Sequence, residues 1–291
     1  MPSSLKLLYF FLLGSLAASV TAVEPDAQSI MKQVLGQEGQ YPYIYEEQSM
    51  ILIDKAGNRD VRNTRRYIRV DASGKVNVLL VFDSPEEVRG VALLASRHND
   101  DAIQAGIYLP AFEDRMISSE GESSSDRFLG TDFSVFDLKP ERYDDFTYTR
   151  LEDEVIDKVS YYSIEARPID NTILKQSGYA KRIHTISKED LLIFRTRYFN
   201  RHGRHIKTLT QHEFKQYGNA FWKPDMILMD NLAEQHKTLI KTRERIFSPD
   251  YVPPKMFSRQ WLFNHNHMAS TVQHIFDNTL TPDKPVQAND D

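Results

Sequence analysis

The feature that most limits the fold of this chain is a long succession of strand-like segments. MILID and VRNTRRYIRV flank KAGN, a turn-rich hairpin tip. KVNVLLVF (75–82) alternates so that Val76, Val78, Leu80 and Phe82 share one face, against Asn77, Leu79 and Val81 on the other. GVALLAS (90–96), AGIYLPAF (105–112), VSYYSIEARPI (159–169), YAKRIHTIS (179–187) and DLLIFRTRYF (190–199) continue the pattern. HIKTLTQHEF (205–214), FWKPDMILMD (221–230) and KTLIKTRERIF (237–247) complete it. About ten strands joined by short turns predict one large antiparallel sheet, mainly β with a few helices, and no linker or solenoid repeat divides it.

Helical material is scarce by comparison. PDAQSIMKQVLGQ (25–37) puts Ile30, Met31, Val34 and Leu35 on one stripe, and KMFSRQWLF (255–263) is a weaker candidate. In FLGTDFSVFDL (128–138) a short helix from Thr131 or Asp132 would stack Leu129, Phe133 and Phe136 on one side, with Lys139-Pro140 stopping it. Gly130 permits a tight turn before that apolar plug. So much curved sheet with so little to cover it predicts an apolar concavity of the kind that holds ligands.

The first 22 residues have the form of an export signal: a short start with Lys6, an apolar run from Leu7 to Ala18, and the small-residue site Val20-Thr21-Ala22. The run is shorter than the ~20 residues of a spanning helix, so cleavage after Ala22 and release into the periplasm are expected. The chain has no cysteine, so its exported part has neither a disulfide nor a thiol to acylate. The tail from Asn264 to Asp291, rich in Asn, Asp and Pro, reads as disordered. The organisation expected is therefore a signal over 1–22, one domain over 23–263, and a tail over 264–291.

Few signs of chemistry accompany this layout. A formal charge of −5 gives no footprint for nucleic acid, and the basic run RTRYFNRHGRHIK (195–207) reads as a solvated hairpin. No nucleophile elbow, phosphate loop or dinucleotide glycine pattern occurs, so neither an enzyme nor a cofactor is expected. SSSD (123–126) reads as a loop. His265 and His267 lack the spacing of two ligands on one helix face, and no metal site is expected. The acidic stretches Asp144-Asp145 and Glu152-Asp153-Glu154 read as ordinary solvated charges.

Taken in order, VLLVFDSPEEVRGVALL (78–94), IYLPAFEDRMI (107–117) and FLGTDFSVFDL (128–138) resemble the outer-membrane lipoprotein-sorting proteins of the LolA/LolB-like group. The resemblance is to the exported branch found alongside RND-type exporters. YFNRHGRHIKTL (198–209) and WKPDMILMDNLAEQHKTLI (222–240) extend it over most of the chain, and Leu129-Gly130-Thr131-Asp132-Phe133 is its most specific part. The chain departs from the pattern around Tyr108, with Gln104-Ala105-Gly106-Ile107 before it and Arg115 alone after it. The resemblance implies an unclosed half-barrel whose concave face is covered by helices, and a periplasmic carrier of lipid or lipoprotein acyl chains that performs no chemistry. An RND-type inner-membrane transporter is the partner it implies, and a non-catalytic accessory subunit of such an exporter is the alternative. The cavity candidates are Val76, Val78, Leu80, Phe82, Tyr108, Leu129, Phe133 and Phe136, with Gly130, Thr131 and Asp132 as the motif that presents them.

Overall fold

A computed structural model describes residues 24–38, 41–97, 103–112, 115–120, 127–218 and 221–268. The expected signal at 1–22, the SSSD loop and the tail beyond Met268 lie outside the described residues. No helix among the described residues is long and apolar enough to cross a membrane.

The chain opens with α1 (Ala27–Glu38). Asp26 caps it by accepting from Ser29 N at 2.7 Å, and Ala27, Ile30, Met31, Val34 and Leu35 form its buried stripe. The first run of strands is β1 (Tyr43–Ile53), β2 (Arg59–Val70), β3 (Val76–Ser84), β4 (Ala92–Arg97), β5 (Gln104–Leu109) and β6 (Arg115–Glu120). Then come β7 (Phe146–Arg150), β8 (Glu154–Ile156), β9 (Val159–Pro168), β10 (Lys181–Ser187) and β11 (Ile193–Phe199). The last three are β12 (His205–Tyr217), β13 (Phe221–Asn231) and β14 (His236–Ile246). α2 (Asn171–Ser177) bridges β9 and β10, capped by Asp170 and ended by Gly178 at φ 74°, and α3 (Arg259–Phe263) follows β14.

The described strands form one antiparallel sheet in the order β6-β5-β4-β3-β2-β1-β14-β13-β12-β11-β10-β9-β7, with β8 paired to β9. It is not closed into a barrel, because β6 and β7 end the ladder on opposite sides. Two meanders meet where the first strand pairs with the last, so Glu46 stands opposite Arg245 on one side and Arg66 on the other. This order dictates where the plug must go. A chain leaving edge strand β6 and entering edge strand β7 has to cross the open mouth of the curved sheet, and residues 127–138 make that crossing.

Both faces of the β1–β5 half are covered. Val78, Leu80 and Phe82 pack on the concave side with α1 and the crossing segment, while Leu79 and Val81 join Tyr45, Tyr67 and Tyr108 on the convex side. There Val252, Met256, Trp261 and Leu262 close the second core, so α3 lies on the opposite face from α1. Each such apolar side chain contributes roughly 1.5–3 kcal/mol on burial.

Several expectations need correction. The plug contains no helix: residues 127–138 form turns around a single bridge between Arg127 and Ser134. The helical spacing of its phenylalanines loses to long-range hydrogen bonds at Asp132, described below. Asn264–Met268 are ordered rather than part of a disordered tail, because His267 is buried and its Nε2 lies 2.9 Å from Gly90 O. Asp145 is buried with both carboxylate oxygens on Arg97, at 2.6 and 2.9 Å, and is no solvated charge. β6, β7 and β8 add strands that alternation did not reveal. The 195–207 run, by contrast, is a hairpin as expected, β11–β12, turned through Gly203 at φ 72°.

Candidate functional site

The crossing segment is held by one residue. Asp132 has no exposed surface; its Oδ1 accepts from Asn231 Nδ2 at 3.0 Å, and its Oδ2 accepts from Thr238 Oγ1 at 2.8 Å and lies 2.6 Å from His236 Nδ1. Its backbone joins in, with the amide donating to Thr238 Oγ1 at 2.9 Å and the carbonyl accepting from Lys207 Nζ at 2.8 Å. Five contacts to β12, β13 and β14 outcompete the single local bond that a helix cap would make. The turn before it places Leu129 at φ 46° and Gly130 at φ 78°, and Arg62 Nη1 donates to the strained Leu129 carbonyl at 2.7 Å. Leu129 is left half-buried, while Phe128, Phe133 and Phe136 turn inward.

The crossing segment and α1 together do not fill the concave face. A cavity of about 340 Å³ remains between them and the strands. Leu35, Ile44, Ile68, Phe133, Phe136 and Ile227 supply apolar wall. Charge enters from two sides. On one, Glu46 accepts from Arg245 Nε at 2.6 Å and Arg66 Nη1 at 3.2 Å. Burial opposes the Glu46 charge, but the two arginines outweigh it and hold the carboxyl below its usual range. Arg245 is saturated in turn by Asp225 Oδ1 at 2.9 Å, Pro224 O at 2.9 Å and Tyr217 OH at 3.2 Å.

The second charged wall belongs to β10 and the end of the crossing segment. Arg182 Nη1 donates to Glu141 Oε2 at 2.7 Å, and His184 Nδ1 lies 2.9 Å from Thr196 Oγ1. The Arg182 guanidinium sits among the rings of Phe146, Phe136, Tyr198 and Tyr179, 4.8–5.4 Å from their centroids. Burial works against its charge, yet Glu141, Tyr198, Asp137 and Tyr179 together outweigh that and raise its pKa. Lys139 Nζ lies 4.0 Å from the centroid of the Phe136 ring and 3.7 Å from Asp145 Oδ2. Burial first, then the Arg97 charge, push the Lys139 ammonium down to about 7.

Of the residues singled out in the sequence, Val76, Phe133 and Phe136 line the cavity. Val78, Leu80 and Phe82 sit in the buried concave core, with the Phe82 ring tilted against that of Phe128 at 5.9 Å, and Leu129 packs against that core. Tyr108 is on the other face, in the convex core, its ring 4.9 Å from that of His267. Gly130, Thr131 and Asp132 belong to the anchor. Missed were Glu46, Arg66, Glu141, Arg182 and Arg245. In YAKRIHTIS the alternation places Arg182, His184 and Ile186 on one face, which is the signal that could have flagged a polar wall.

No group of three or more potential metal ligands occurs among the described residues. His265 Nδ1 instead lies 3.3 Å from Tyr108 OH. Asp153 is paired with Arg150 and Lys188, and Glu154 with Arg195 and Arg197.

Solved structures share this fold. A domain from Vibrio parahaemolyticus described as an outer membrane lipoprotein-sorting protein superposes with a TM-score of 0.75 at 24% identity, covering 81% of this chain and 98% of that one. A DUF1329 family protein from Desulfovibrio piger gives 0.71 at 21%, covering 80% and 100%, and a LolA superfamily protein from Nitrosomonas europaea gives 0.65 at 17%, covering 81% and 99%. At such identities the likeness is one of fold. A comparison with curated proteins gives no match. A family model described as uncharacterized protein matches residues 74–264, and the chain belongs to that family.

Proposed function

We propose that the protein is a periplasmic carrier that shelters an acyl chain of a lipid or lipoprotein in the concavity of its sheet. The observation that supports this is the cavity itself, left open although α1 and the phenylalanine-rich crossing segment pack around it. A volume of about 340 Å³ is near the lower end of ligand sites, which suits one chain rather than several. Burying that chain supplies about 0.8 kcal/mol per methylene, and no bond need be made or broken. The shared fold with a lipoprotein-sorting domain agrees with this role. An unfilled interior favours a carrier over a subunit whose sheet merely docks an RND-type exporter.

Two measurements test the proposal. Mass spectrometry of an organic extract from protein purified out of the periplasm is expected to find acyl species in stoichiometric amount. Protein that emerges empty, and takes up no fluorescent fatty acid afterwards, overturns it. N-terminal sequencing is expected to begin near Val23; a retained Met1 in the membrane pellet overturns the location.

A further inference from the structure

The two charged walls of the cavity differ in one respect that bears on its cargo. Around Glu46, Arg245 is engaged by carboxylates, a carbonyl and hydroxyls, and Arg66 through both terminal nitrogens, its Nε alone left without a hydrogen-bond partner. Arg182 is engaged once, through Nη1, and its Nε and Nη2 have no hydrogen-bond partner among the described residues. The side chain is 5% exposed, so bulk water does not serve those donors. A buried guanidinium donor left unmade is costly, and a folded chain keeps one where something else completes it.

Its surroundings hold it ready. The rings of Phe146, Phe136, Tyr198 and Tyr179 frame the guanidinium plane, and Tyr179 is itself fixed by donating to Asp137 Oδ2 at 2.8 Å. A planar fork fixed in this way matches the oxygens of a phosphate or carboxylate without further ordering. Lys139 lines the same cavity, and both oxygens of its nearest carboxylate, Asp145, are already taken by Arg97. Arg97, Lys139 and Arg182 thus meet Asp145, Glu141 and Asp137 at this wall, and Arg182 brings two unpaired donors to it.

We propose that the Arg182 wall is the headgroup subsite of the cavity, selecting amphiphiles whose polar end carries an anionic phosphate or carboxylate oxygen. This deepens the carrier proposal and rests on it. The apolar walls take the chain, and Arg182 with Lys139 takes the head. Asp137 Oδ1 and Glu141 Oε1, also without hydrogen-bond partners, border the subsite and disfavour a bare multivalent anion. They suit a head with a hydroxyl or ammonium donor beside its anionic oxygen.

The test is a competition against a fluorescent fatty acid with four single-chain probes of equal chain length: alkyl phosphate, fatty acid, fatty alcohol and alkyl trimethylammonium. Full-length mature protein is expected to bind the two anionic probes at least tenfold more tightly than the alcohol. Arg182→Gln is expected to bring them to the level of the alcohol while leaving the alcohol unchanged. Since Arg182→Gln strands Glu141, the double variant Glu141→Gln/Arg182→Gln removes the pair together and is expected to show the same loss. Equal affinity for anionic and neutral heads, tighter binding of the trimethylammonium, or selectivity that survives both variants overturns the subsite. Inorganic phosphate that displaces the alkyl phosphate at matching concentration also overturns it, since the wall would then be a small-anion site. If no probe of any head binds, the carrier proposal fails first, a result distinct from loss of selectivity.

Discussion

The two faces of the sheet are covered by different means, and the contrast separates structure from function. On the convex face, Arg65 is buried beneath the segment that follows β14. It donates to Asp83 through Nε and Nη2, to Tyr67 OH at 3.2 Å, and to His267 O at 2.7 Å. On the concave face, Arg182 is as deeply buried and makes one hydrogen bond. The convex cover is sealed, with Leu262 and Val252 at zero exposure, whereas the concave cover leaves a cavity. Tight packing seals the convex face, whereas lone donors and free volume mark the concave one, which is the arrangement the proposed carrier role needs.

Removing the anchor of the concave cover has the largest expected effect. Asp132→Ala leaves Asn231, His236 and Thr238 without their shared partner and is expected to cost about 4 kcal/mol in urea unfolding. A loss under 1 kcal/mol would show that the crossing segment is held by its phenylalanines alone. Next comes the convex cover: Leu262→Ala is expected to cost about 3 kcal/mol through the void it leaves, with chain uptake per folded molecule unchanged. If uptake fell along with stability, the two faces would not be independent.

The third effect is pH-dependent and confined to the concave side. The Lys139 pKa is pushed from 10.5 down to about 7 in the folded protein, so above pH 7 the unfolded chain holds a proton that the folded one has released. Stability is then expected to rise with pH, by roughly 2 kcal/mol between pH 7 and 9. Lys139→Met is expected to flatten that rise and to be the more stable protein at pH 7. An unaltered slope in the variant would assign the effect to another group. The smallest expected change in stability has the sharpest functional consequence. Leu209 is half-buried against the cavity, and Leu209→Trp is expected to occupy free space at a cost below 1 kcal/mol while abolishing uptake of a fluorescent fatty acid. A destabilisation of 3 kcal/mol or more would mean that the space beside Leu209 is already filled.

Much of the architecture was legible in advance because alternation is a local property. The faces of β3 separate as the spacing of Val76, Val78, Leu80 and Phe82 requires, and the stripe of α1 is the one its apolar residues mark. The crossing segment was harder. The i, i+4 spacing of Leu129 and Phe133 is a helical signal, but Asp132 finds its partners about a hundred residues away on β13 and β14, and no local pattern encodes them. Tyr108 shows a further limit. The sequence marked AGIYLPAF as a strand, but nothing local to it says which side Tyr108 faces.

The sequence by itself determined the strand-rich class, the pairing of neighbouring strands, the absence of disulfide support and the apolar character of residues 128–138. These follow from side-chain periodicity and composition, which act over a few residues at a time. The tertiary structure alone decided that β1 pairs with β14, that the segment after β14 seals the convex face, and that Arg182 and Lys139 share a cavity wall. Those depend on closure between residues far apart in the chain, where burial and hydrogen bonding outweigh local preference. A charged residue on an alternating strand looks the same whether it faces water or a cavity, and the direction in which the sheet curls makes the difference.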